Sequence, residues 1–571
     1  MNYLNLEKRL KRVFDLFLLK KTGVLWVFVL IFIGSLIIQI SSPNLLGHDD
    51  SYFYIKIAEL TKGHGGLYHE FPWLYYTTYN HHFKGLHFLS TLLFIPFTYL
   101  GNLIIGAKVA TAFFFALVMA LFYFILKKVN IRHTWFWVLF LLASSYSFIF
   151  RMHLSRPLSI SLFFLLLGFY ALIKKKYWLL FIVSFFYVWA YDGYLIILFF
   201  SILYCLVWFL TNRKIHIKSF LVCLSGVLWG TIINPYFPTN LIREHSLGAN
   251  PLFTFLIVPQ SAEWVPPEIL GTFLSDHLVI ISFALFFVGY LFWRSSTYEK
   301  EKAQEKFLIN FFFIIVVFLF FMTSRSVRFF EYWSPFLFIG VAYFYQMVFY
   351  KKYIGFLSRG VDDLVKSCIV RFRSFFRKIV VILKKLTNPK NIRIVILCFI
   401  VILTYFLIHN ILLLRNHLNE TPSHLRYQGA TDWLKKNTPK QSIVFNAAWD
   451  NFPQLFFMNT HNYYVVGLDM LFMYQYNPQL YWLDRDIGDY GLVCNSKENC
   501  AKNQFCALDI DNAIAKTISE TFNSHYIFID QLFYNKKNRH QELYNILSAS
   551  GLFEKSFQDD NYPEVTIFKV K

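Results

Sequence analysis

Apolar stretches of about 17–25 residues recur along this chain, each long enough to cross roughly 30 Å of hydrocarbon as a helix. They lie near 22–40, 106–126, 134–150, 157–173, 177–190, 194–211, 219–233, 277–293, 307–323, 329–350 and 394–414, which makes about eleven. The predicted fold class is an α-helical polytopic membrane protein. Composition agrees: of 571 residues, 56% are hydrophobic and only 16% charged, with 68 Phe, a balance outside the range of ordinary soluble domains. The first run lacks a small-residue cleavage site and reads as a permanent span.

Lys and Arg set the orientation, because positive loops stay on the cytoplasmic side. Lys8, Arg9, Lys11, Arg12, Lys20 and Lys21 place the N-terminus inside. The loops carrying Lys127, Lys128 and Arg132, then Lys174 to Lys176, then Arg213, Lys214 and Lys218, then Arg294 to Lys306, all fall inside on the same path, as does the basic stretch 351–393. The alternation holds only if the apolar stretch 86–100 lies in the interface or re-enters without crossing. The net charge of +21 is therefore mostly a topology signal. Spread over inner loops beside anionic headgroups, it forms no groove for nucleic acid. Within it, "RFRSFFRKIVVILKK" reads either as an inner-leaflet amphipathic helix or as a plain basic loop.

After the last run the composition changes. Residues 415–571 carry 15 Lys and Arg against 17 Asp and Glu, as expected of a soluble domain, which parity places outside. "SHLRYQGATDWLKKNTP" reads as a helix ending before Pro439. "QSIVFNA", "NYYVVGLD", "HYIFIDQL" and "EVTIFKV" read as buried strands, with helical patterns "DNAIAKTISETF" and "RHQELYNILSASG" between them, an α/β layering. The division is thus a transmembrane part, 1–414, with large outer loops near 41–105 and 234–276, and an extracytoplasmic α/β domain, 415–571. An oxidising exterior permits one disulfide among Cys494, Cys500 and Cys506, with the pairing open.

Sorting polar residues by loop gathers Asp49, Asp50, His81, His82, Arg151, His153, Arg156, Asp192, Glu244, Glu263, Glu268, Arg325 and Arg328 on the outer face. Transporters usually place ionisable groups near the bilayer midplane. A site at the outer surface instead suits an enzyme that draws a lipid-borne substrate from the bilayer.

The stretch "DSYFYIKIA", Asp50 to Ala58, resembles the first acidic motif of the GT-C glycosyltransferases, most closely the oligosaccharyltransferase catalytic subunits. In the expected order follow "PQSAEWVPPE" in a long outer loop, "SRSVRFFEYWSPF" opening a late span, and "AAWDNFPQLFF" in the C-terminal domain. The resemblance implies a GT-C-like transmembrane domain and a polyprenyl-phosphate-linked sugar donor. It implies Asp50 as the key carboxylate, Glu263 as the loop glutamate opposite it, and Arg325 or Arg328 as the arginine at the lipid phosphate. Two departures stand out. Between the third and fourth runs, "RMHLSRPLS" has no acid where oligosaccharyltransferases carry a second acidic pair for a divalent metal. In the C-terminal motif Ala448, not a second tryptophan, precedes Trp449 and Asp450. The broader class includes members that work without a metal, so no cofactor is certain, and a divalent cation (Mg or Mn) would find a ligand in Glu263.

From this come the expected roles. Asp50 is the base, while Asp49 caps or supports the helix that follows, since Asp at an N-terminus satisfies free backbone N–H groups. Arg325 and Arg328 bind the donor phosphate, with Arg151 and Arg156 as the other basic pair suited to it. Trp264, Trp449 and Asp450 face the acceptor. Each has a plainer alternative: capping for the aspartates, snorkelling for the arginines, loop or strand-end architecture for Glu263, Trp449 and Asp450. The expected function is an inverting glycosyltransferase of the cell envelope, in a bacterial plasma (inner) membrane, modifying a glycolipid, polysaccharide or protein. The alternatives are an oligosaccharyltransferase-like enzyme and a non-enzymatic glycan carrier or export protein.

Overall fold

The structure, a computed structural model, describes residues 22–47, 50–83, 85, 87–240, 266, 276–296, 302–350, 389–493, 509–532 and 540–571. The expectations for Asp49, Glu263, Trp264, the basic stretch 351–388 and Cys494, Cys500 and Cys506 lie outside these residues.

Each apolar run coincides with helix, from Gly23–Ile40 and Leu103–Lys128 through Ala303–Arg325 and Phe330–Phe344 to Pro389–Glu420. Among the described residues, five helices are long and apolar enough to cross a membrane, or six if one bent pair counts as a span. The others are shorter; Tyr177–Ala190 has 14 residues and Lys218–Ile232 has 15, against about 20 for a straight crossing. These two pack closely on each other. A Cβ on Gly226 would come within 2.6 Å of the Phe181 carbonyl oxygen, and one on Gly230 within 2.5 Å of that of Phe185. Small residues bring the backbones together where no hydrophobic drive exists between helices in lipid.

The run expected as one span over 134–150 is broken. Thr134–Ser144 and Tyr146–Met152 meet at 91°, with Ser145 extended between them and its hydroxyl accepting from the Phe148 N–H. Such a break frees carbonyls. The Asn410 amide supplies donors to those of Leu142 and Ala143, at 3.2 and 3.0 Å, so the bend is stabilised from a neighbouring helix. The stretch 86–100 becomes the short helix Phe88–Phe94 and a 3-10 segment Ile95–Leu100, too short to cross.

The C-terminal domain carries a five-stranded sheet in the order β2-β1-β3-β5-β4. The strands are β1 Ile443–Asn446, β2 Tyr463–Tyr464, β3 Ser524–Asp530, β4 Phe553–Gln558 and β5 Val565–Val570. β1 runs parallel to β2 and β3, while β5 is antiparallel to β3 and β4. Of these, β4 escaped the sequence reading because "FEKSFQ" is an exposed edge with charges and no apolar run. Alternation divides the sheet between two cores. Phe445, Ile527, Ile529 and Phe568 join Tyr481, Leu543 and Leu547 on one side. Val444, Phe528, Val565 and Ile567 join Phe53, Tyr54, Ile57, Phe71 and Phe456 on the other. The second core therefore contains residues of the segment between Gly23–Ile40 and Leu103–Lys128. That segment also extends the sheet, because Leu74 pairs in parallel with Tyr464 through Tyr75 N–H to Tyr464 O and Tyr464 N–H to Trp73 O, at 3.0 and 2.9 Å.

Candidate functional site

Asp50 opens the helix Asp50–His64, where an acid meets free N–H groups and the positive end of the dipole. Its side chain is 33% exposed and lies 3.5 Å from the Arg156 guanidinium. Four residues on, Tyr54 stands on the same helix face but is buried. Its hydroxyl sits 3.0 Å from His87 Nδ1, and His87 Nε2 sits 3.3 Å from Asp192 Oδ2. A carboxylate only accepts, so Nε2–H donates to Asp192 and, in the neutral ring, Nδ1 accepts from Tyr54 O–H. Burial holds the Tyr54 phenol well above its usual range, Asp50 and Tyr191 pushing the same way and Arg156 and Arg328 opposing. Tyr54 is therefore a hydroxyl donor at any physiological pH.

Tyr191 completes the wall. It occupies an extended break after Tyr177–Ala190, its ring 4.5 Å from that of His87, and it accepts a hydrogen bond from Arg328. The Arg328 guanidinium also lies 5.6 Å from the Tyr191 ring centre. Arg328 belongs to a 3-10 turn, Val327–Phe329, whose backbone N–H is received by Ser326 Oγ at 3.3 Å. The arrangement brings one carboxylate, two guanidiniums, two phenols and an imidazole–carboxylate pair together.

By sequence, the chain matches no protein-family model and no curated protein. Among solved structures, it is similar to the crystal structure of ArnT from Cupriavidus metallidurans in the apo state. The TM-score is 0.51 at 13% identity, over 96% of this chain and 98% of that one. The chain shares the fold of that structure.

In this fold the other expected residues fall in different places. Arg325 ends the helix Ala303–Arg325 and is exposed; the extended Ser326 separates it from Arg328. Arg151 is buried and donates from Nε to Glu331 Oε2 at 2.6 Å. Its charge is compensated inside the protein. His153 is held by Ser35 Oγ at 3.0 Å, with Gln39 donating to its carbonyl at 2.7 Å, a lock between packed helices. Trp449 is half-buried against the C-terminal core. Asp450 is buried beside Tyr427, whose hydroxyl donates to Asp530 at 2.8 Å. That position serves the domain's interior, where Arg426 also grips Asp530 at 2.6 and 2.8 Å.

The sequence reading missed Tyr54, His87, Tyr191 and Glu331. Two had a signal: Tyr54 is one helical turn beyond Asp50, and Glu331 lies three residues after Arg328. His87 had none, since it reaches the site only when the loop after His64 folds back, and it does so with φ at 55°. Asp50 meets a guanidinium, and among the described residues no group of three His, Cys, Asp or Glu side chains could hold a metal ion; Glu263, the expected ligand, lies outside them.

Proposed function

We propose that this protein is an inverting glycosyltransferase that takes a sugar from a polyprenyl phosphate at the outer membrane face and delivers it to a glycolipid, polysaccharide or protein hydroxyl. The observation that carries this reading is Asp50 facing Arg156 with Arg328 close by, at the outer mouth of a GT-C fold. The GT-C class supplies the analogy, and the site supplies the chemistry.

The leaving phosphate gains negative charge as the glycosidic bond breaks, and preorganised guanidiniums stabilise that change. Arg328 and Arg156 are those cations. Arg156 is shared with Asp50 at the long separation of 3.5 Å, so donor phosphate draws it away and leaves the carboxylate to take the acceptor's proton. Base and phosphate on opposite sides of the sugar produce inversion. Asp49 supports the helix start, Arg325 attracts the donor from the surface, and Arg151 holds the wall through Glu331. Glu263 and Trp264 orient the acceptor, with Trp449 at the edge of the C-terminal domain. Residues 1–414 form the catalytic part and 415–571 the extracytoplasmic domain, in a bacterial plasma membrane with the N-terminus cytoplasmic.

The test is transfer from a panel of polyprenyl-phosphate sugars by the purified protein. Asp50→Asn keeps size and hydrogen bonding but removes the base, so turnover should drop by about two to four orders of magnitude. Asp49→Asn should cost little, since Asn caps as well as Asp. Arg328→Ala should raise the donor KM more than the acceptor KM. Near wild-type turnover in Asp50→Asn would refute the assignment.

A further inference from the structure

We propose that Tyr54, supplied with protons through His87 and Asp192, protonates the phosphate oxygen that leaves the sugar. The inference rests on Asp50, Arg156 and Arg328 forming the donor site described above. It assigns work to a chain of groups that the base and the two guanidiniums leave unused.

The chain runs from water to the buried wall. The Asp192 side chain is 60% exposed, while that of His87 is only 7% exposed and Tyr54 is buried. Both links are within hydrogen-bonding reach, 3.3 Å from Asp192 to His87 and 3.0 Å from His87 to Tyr54. Among the described residues, groups that face His87 include Tyr54 from the helix Asp50–His64 and Tyr191 and Asp192 from the break before Tyr194. Behind Tyr191 stands Arg328, and Asp50 and Arg156 act on Tyr54.

The ring's charge decides where the Tyr54 hydrogen points. With a neutral ring, Tyr54 O–H is spent on Nδ1. With an imidazolium, both nitrogens donate, Nδ1–H to Tyr54 and Nε2–H to Asp192, and the phenolic hydrogen turns toward the arginines. Because Tyr54 stays protonated at any physiological pH, it can only pass a proton on as it receives one.

The step balances. The acceptor hydroxyl forms its bond to the anomeric carbon and gives its proton to Asp50, while the bond from that carbon to the phosphate oxygen breaks and its electron pair goes to the oxygen. That oxygen takes the Tyr54 proton, and Tyr54 takes the Nδ1 proton. His87 is left neutral and regains a proton from water at Asp192. Tyr54 touches the reacting oxygen; His87 and Asp192 are positioning residues that act through it.

Farnesyl monophosphate, a short soluble polyprenyl phosphate, is the probe, with binding to the full chain in detergent measured at pH 5.5 and pH 8. Its own second ionisation is common to all variants and cancels in ratios. Tyr54→Phe should bind about tenfold more weakly than wild type at the lower pH, where a charge-assisted hydrogen bond is lost, and nearly equally at the higher. Asp192→Asn, at an exposed position, should shift that difference to lower pH, and His87→Gln should remove its pH dependence. A wild-type to Tyr54→Phe ratio that is the same at both pH values, or unchanged in Asp192→Asn, overturns the proposal. Arg328→Ala separates the causes. If it binds the probe as wild type does, the donor site itself is wrong; if it loses binding while the ratio ignores pH, only the proton route fails.

Discussion

Removing Glu331 should destabilise the protein sharply while removing its partner as well should not. Arg151 and Glu331 approach to 2.6 Å with side chains 5% and 0% exposed, so neither charge reaches water. Deleting one member of such a pair strands the other and costs about 3–5 kcal/mol, whereas replacing both by apolar groups of similar volume is often neutral or better. Glu331→Ala should therefore lose several kcal/mol, and Arg151→Met with Glu331→Met should recover most of it. Unfolding by SDS titration in one fixed lipid–detergent mixture reads both. The double variant should also bind farnesyl monophosphate like wild type, because the charge at Arg151 is already satisfied. A loss below about 1 kcal/mol in Glu331→Ala, or a double variant as unstable as the single one, would refute the buried-pair reasoning. Weaker probe binding with stability intact would return Arg151 to the phosphate site.

Three further outcomes are expected. A phosphatase fused after Lys571 should be active and green fluorescence at the same place absent, if residues 415–571 lie outside as the distribution of Lys and Arg predicts. Gly230→Ala should cost about 1–3 kcal/mol in the same SDS titration, because its Cβ would sit 2.5 Å from the Phe185 carbonyl oxygen and the two helices must part. Burial, reinforced by Asp489, raises the Asp484 carboxyl well above its usual range, so the folded state keeps a proton that the unfolded chain releases. Stability is then lost as pH rises from about 4, where an unfolded Asp titrates, toward the raised folded value. Asp484→Asn should flatten that slope between pH 4 and 7 and gain stability at the upper end. An unaltered slope would refute it.

The apolar runs were legible because a bilayer imposes a length, and each of them coincides with helix, one of them broken. The bend at Ser145 was not, since "LLASSYSF" is apolar enough to read as one span. The break depends on Asn410, which reaches the Leu142 and Ala143 carbonyls from a helix far along the chain. Asp50 and Arg328 could be found as acids and bases at span mouths. What separates Arg328 from Arg325 is a single extended residue, Ser326, and what separates Arg156 from Arg151 is Glu331. Such pairings are tertiary facts, and charge alone could not rank the four arginines. β4 was hidden for the opposite reason: an edge strand needs no apolar signal to pair with β5.

The C-terminal domain also has a mechanical bearing on the proposed base. Tyr52 and Phe53, the second and third residues after Asp50, meet Phe457 and Phe456 at ring separations of 5.3 and 5.9 Å. Phe71, from the loop that follows, meets Phe456 at 5.2 Å. Aromatic pairs of this kind add about 0.5–1.5 kcal/mol each beyond their buried area, enough together to hold the first turn of a helix that is only 15 residues long and spans nothing. The same loop then carries His87 back to Tyr54. Asp50 is thus fixed from one side by the C-terminal domain and met from the other by Arg156, in the turn before Leu158–Ile173. In the proposed reaction, donor and acceptor would meet at the seam between the C-terminal domain and the helical part, where Asp50 faces Arg156.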